Sequence, residues 1–119
     1  MANTFKNAFT ENCNISSNNP AYSTALTCPS ANASKCVVIG MHLTNTTSSE
    51  VTASIIIYDH SASTNSITLV NEVPLPANTM LAVFEGDKII LEEQDEIRIV
   101  AGTATAVNAF VSYLLSDST

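Results

Sequence analysis

Residues 35–59 read KCVVIGMHLTNTTSSEVTASIIIYD, and their reading decides the fold class. Val37, Ile39, Met41 and Leu43 share one side of an extended chain, with Val38, Gly40, His42 and Thr44 opposite. The polar turn at 46–50 follows, and then Val51, Ala53, Ile55 and Ile57 alternate with Thr52, Ser54, Ile56 and Tyr58. A side-chain period of two is the signature of a β-strand, and two such runs around a Ser/Thr-rich break read as consecutive strands.

Working outward, the same grammar repeats. Extended runs at 21–27, 66–72, 79–85, 88–91, 96–101 and 106–115 are separated by turn-forming residues. Pro74 and Pro76 bar their segment from a central strand, because proline has no ladder donor. About eight short strands with no helical period predict an all-β chain. Its expected form is a single antiparallel β-sandwich of jelly-roll or immunoglobulin-like topology. Residues 1–20 carry few apolar side chains and end on Pro20, so they read as a flexible polar N-terminal arm. Residues 21–119 make the sandwich domain.

Composition narrows the function. Charged residues are 13% of the chain, against a typical value of about 25%. Ser, Thr and Asn supply about a third of it, which suits exposed strands and turns. Eleven acids against four cations give a net charge of −7. Such a chain lacks the basic footprint for nucleic acid, and it is repelled by anionic lipid. No apolar run approaches a membrane span and no signal peptide is visible, so cytosolic synthesis without export is expected.

Chemistry is sparse. His42 and His60 lie near no nucleophile motif, and three glycines cannot build a phosphate-cradling loop. Cys13, Cys28 and Cys36 match neither zinc spacing nor a CxxC pair, and reduced thiols are expected, although a Cys28–Cys36 bridge across a turn is conceivable. Six acids fall between Glu85 and Glu96, without calcium-loop spacing. The expectation is a solvated hairpin tip rather than a site. No catalytic residue, cofactor or metal is therefore assigned, and the chain reads as non-enzymatic.

Two strands break the alternation, being apolar on both faces. Ile56 and Tyr58 in one, and Phe110 and Leu114 in the other, are the candidates for self-association. Phe5, Phe9 and Ile15 are the candidate contacts of the arm.

The motif order is distinctive. Val73-Pro-Leu-Pro-Ala-Asn-Thr-Met-Leu leads to Glu85-Gly-Asp-Lys-Ile-Ile-Leu-Glu-Glu-Gln-Asp-Glu-Ile-Arg-Ile and closes on Val111-Ser-Tyr-Leu. Over residues 36–116 it resembles the small β-sandwich virion proteins of tailed bacteriophages, of marine and cyanobacterial type. Gln94 departs from the pattern, which places glycine before the Asp. The resemblance implies a structural virion protein, either a capsid cement or decoration protein bound to major capsid subunits or a neck or tail component. A homo-oligomer is implied, with a trimer favoured by local threefold axes. A receptor- or glycan-binding module is the alternative, against which the absence of Trp counts.

Overall fold

The computed structural model describes residues 2–18, 21–30, 34–60, 65–83 and 89–117. Among them, strands and turns make up the whole architecture. The strands are β1 (Ala2–Thr10), β2 (Ser23–Thr27), β3 (Lys35–Asn45), β4 (Val51–Asp59) and β5 (Asn65–Leu75). They continue with β6 (Met80–Val83), β7 (Ile89–Leu91), β8 (Glu96–Ala101) and β9 (Val107–Asp117).

Two antiparallel sheets form. Sheet A has the order β1-β9-β3-β6, with β7 also paired to β3, and sheet B the order β2-β8-β4-β5. β6 pairs with residues 41–44 of β3 and β7 with residues 36–38, so the two short strands share one lane. The sequential pairings are nested: β1 with β9, β2 with β8, β3 with β6 and β7, β4 with β5. That is one long hairpin rolled into two sheets, which makes the sandwich a jelly roll.

The core lies between the inner faces. Val38, Met41, Leu43, Val107 and Val111 of sheet A meet Leu26, Ile55, Ile97 and Ile99 of sheet B, all buried. Fully burying each such side chain contributes about 1.5–3 kcal/mol. Pro74 lies in β5, an edge strand, where a missing donor costs little.

The structure corrects four expectations. Residues 2–18 are part of the sandwich rather than a flexible arm. β1 pairs with β9 along its whole length and Cys13 is buried in the core. The segment looks polar because it is an edge strand wetted on both sides; even inward-facing Thr4 and Lys6 are exposed.

In β3 the register slips between Val38 and Gly40, a β-bulge at Ile39. The extra residue transfers the inward set from Val37 and Ile39 to Cys36 and Val38, ahead of Met41, Leu43 and Asn45.

The third correction concerns the acidic stretch, whose flanking strands are not a hairpin. β7 belongs to sheet A and β8 to sheet B, so residues 92–95 arch across the end of the sandwich. The turn's type follows from Gln94, which holds φ at 64° while Asp95 N–H donates to the Glu92 carbonyl at 3.0 Å. A positive φ at the third residue belongs to a type II turn, for which glycine is preferred.

Fourth, the arch is not wholly solvated. Asp95 is buried, and its carboxylate accepts the backbone N–H of His60 and of Glu92, each at 2.9 Å. Asn45 plays a matching part at the end of β3. Its side-chain amide donates to the carbonyls of Ser49, Leu75 and Pro76, and its oxygen accepts the Thr47 N–H.

Candidate assembly faces

Cross-strand partners share a face, so the register maps each outer surface. On sheet A, Phe9 pairs with Phe110, Phe110 with His42, and His42 with Ala82. A second row joins Phe5, Leu114, Val37 and Ile90. Thr44 adds Met80 on the same side, and the Ile39 bulge lies between the rows. Phe5 is 77% exposed, Phe9 69%, Ile90 62% and Met80 59%, with Ile39 and Phe110 also well exposed.

Six of the eight exposed large hydrophobics thus gather on one sheet face; Ile67 and Leu69 on β5 are the others. Among the described strand positions that point outward from sheet A there is no Asp or Glu. In a chain of net charge −7 this is a charge-selected surface as well as an apolar one.

The outer face of sheet B is built differently. Arg98 lies over the rings of Tyr22 and Tyr58, its guanidinium carbon 4.2 and 4.0 Å from their centroids. Its Nε donates to Glu96 Oε1 at 2.8 Å. Arginine's planar cation stacks on both ring faces while keeping one edge for the carboxylate. Beside this cluster an open groove of about 420 Å³ is lined by Ile15, Thr52, Ser54, Ile56, Glu72 and Val100, among others.

The sequence candidates therefore regroup. Phe5 and Phe9, expected on an arm, join Phe110 and Leu114 on sheet A through direct register pairs. Ile56 and Tyr58 lie on the opposite outer face, so the four self-association candidates do not form one contact. Ile15 is half-buried against the core and bridges to Ala101. Sequence reasoning missed Val37, Ile39, Met80 and Ile90. The signal for the first two was present but inverted by the bulge.

Three thiols are buried. Desolvation pushes Cys13 up to about 11. Desolvation also raises Cys28, although a hydrogen bond from Cys36 opposes the shift. Cys36 is pushed up to about 12, by burial first and then by that hydrogen bond. Among the described residues no group of three or more His, Cys, Asp or Glu could hold a metal ion.

No protein-family model matches the chain, and no curated protein matches it. Solved structures do. A chain of Bacillus endospore appendages, described as disulfide-linked pili, superposes with a TM-score of 0.55 at 7% identity, over 98% of this chain and 89% of that one. Infectious bursal disease virus, Gx strain, gives 0.56 at 12% identity over 97% of this chain. The VP2 subviral particle of that virus gives 0.55 at 10% over 98%. The chain spans about a third of each viral chain it matches. At these identities the likeness is one of fold: this chain shares the β-sandwich of a pilus protein and of viral capsid proteins.

Proposed function

We propose that this chain is a non-enzymatic structural subunit of a phage particle that associates with copies of itself through the outer face of sheet A. The observation that carries the reading is the apolar face built from Phe5, Phe9, Phe110, Leu114, Val37 and Ile90, which bears no acid among the described strand positions. The largest apolar patch on a monomer is often its functional surface. Two acidic molecules meeting there bring together no carboxylates from the described strand positions.

Four strands about 4.8 Å apart and roughly nine residues long give a face on the order of 500 Å². A standard interface buries about 800 Å² per partner, so one such contact is modest and gains from multivalent placement on a particle. Capsid cement or decoration fits this better than an isolated dimer. A trimer on a local threefold axis, bound to major capsid subunits, is the arrangement the phage-protein resemblance favours. The shared fold with capsid and pilus chains supports a structural role.

Sedimentation of the full chain at micromolar concentration tests the self-association, and Phe9→Ser/Phe110→Ser should abolish it. A wild-type chain sedimenting as a monomer overturns the face assignment. Binding to purified capsids but not to tails supports decoration, and the reverse pattern assigns a neck or tail position.

A further inference from the structure

Cys28 and Cys36 come from different sheets. Cys28 follows the last residue of β2; its N–H donates to the Asp95 carbonyl and its carbonyl accepts the Gln94 N–H, both at 2.9 Å. Cys36 is the second residue of β3, in register with Leu91 and Leu115. Both side chains are fully buried, and the Cys36 thiol hydrogen-bonds to the Cys28 sulfur. The backbone clamp from the acidic arch thus holds one thiol against the other across the interior.

We propose that this pair is an oxidative modification site, forming an intrachain Cys28–Cys36 disulfide that fastens sheet B to sheet A. The proposal is independent of the assembly reading. Cys13 lies elsewhere in the core, its N–H on the Val107 carbonyl at 2.8 Å, and stays a thiol.

The reagent is a small-molecule disulfide such as oxidised glutathione. One protein thiolate attacks it, giving a mixed disulfide and releasing one small thiol. The second protein thiolate then attacks the protein-bound sulfur, closing the Cys28–Cys36 bond and releasing the other small thiol. Two S–H protons leave the protein, and two electrons reduce the reagent to two thiols. Burial keeps both thiols protonated in the folded chain, and the thiolate is the nucleophile, so the bond forms as the chain folds rather than afterwards. A bridge closing residues 28–36 restricts the unfolded chain and excludes the small loop openings that would expose this end of the core.

The test refolds the full chain in a reduced/oxidised glutathione mixture, followed by intact-mass measurement and peptide mapping. The expected product is a monomer lighter by two hydrogens, with the Cys28 and Cys36 peptides linked and Cys13 unmodified. Its melting temperature should exceed that of the same protein after reduction by roughly 10 °C, from the loop-closure entropy of so short a loop. Cys13→Ser should form the same bridge. Linkage through Cys13, intermolecular products, or a reduced pair under conditions that oxidise the unfolded chain would each overturn the proposal. Because the melting comparison uses one unmutated protein in two redox states, it does not depend on a cysteine variant folding.

Discussion

The two outer faces of the sandwich are made from the same kind of strand and end in opposite chemistries. Sheet A presents two apolar rows across four strands and no described acid. Sheet B presents a half-buried Arg98 locked between two tyrosines and paired to Glu96, above a groove edged by hydroxyls. Sheet B has already satisfied its apolar rings internally, since Tyr22 and Tyr58 stack on a cation of the same chain. Among the described residues sheet A offers no such cation to Phe5 and Phe9. The faces thus differ in where their aromatic surface finds contact, within the chain or outside it.

Paired substitutions can break that contrast. Phe9→Ser/Phe110→Ser should weaken self-association at least 100-fold, because truncating two aromatic anchors at an interface costs about 2 kcal/mol or more each. Monomer stability should change little, as both rings are exposed. Tyr58→Ser should do the reverse, leaving sedimentation unchanged while lowering the denaturation midpoint. If Tyr58→Ser dissociates the oligomer and the phenylalanine pair does not, the working face is sheet B.

The interior polar clamps hold both faces in place, and their loss is the next largest effect. Asp95→Ala strands the N–H groups of His60 and Glu92 at a buried site and should cost about 3 kcal/mol in urea denaturation. Glu93→Gln, two positions away and exposed, should cost nothing measurable. Equal effects would return the whole stretch to the status of a solvated tip.

How much of this was readable in advance depends on where the determining contacts lie. Strands β4, β8 and β9 announced themselves, because the inward set of each recurs by twos: Val51, Ala53 and Ile55 in β4, Ile97 and Ile99 in β8, Val107, Ala109 and Val111 in β9. The β3 reading failed at a single residue. A bulge at Ile39 inverts every assignment before it, and no local feature beyond the neighbouring Gly40 marked it. β1 was unreadable for a different reason. Among the described residues its strand partner is β9, about a hundred residues away in sequence, and its polar composition suits both an edge strand and a loose end. The same non-locality hid the regrouping of Phe5 and Phe9 with Phe110 and Leu114. Asp95 was concealed by its neighbours, since Glu92, Glu93 and Glu96, exposed or half-exposed, describe a charged tip well and one buried carboxylate does not alter the composition.

A smaller effect sharpens the sheet B side. Arg98→Lys keeps the charge and loses the planar stack, since an ammonium cannot lie flat between two rings while donating to Glu96. A loss of about 1 kcal/mol is expected, with self-association unchanged. A loss of association would mean that the stack supports the assembly face through the core.

The smallest effect runs in the stabilising direction. Gln94 occupies a left-handed conformation at φ 64°, where a Cβ is penalised and glycine is not. Its side chain is exposed, so little packing opposes replacement. Gln94→Gly should therefore raise stability by about 0.5 kcal/mol, the relief of the turn outweighing glycine's greater freedom in the unfolded chain. The arch carries Asp95, and Asp95 holds Cys28 by its backbone, so a less strained turn should also speed Cys28–Cys36 closure on refolding. A Gln94→Gly chain that is less stable than the parent would show that the glutamine side chain contributes a contact at the arch, and that the departure from glycine there is a gain for this fold.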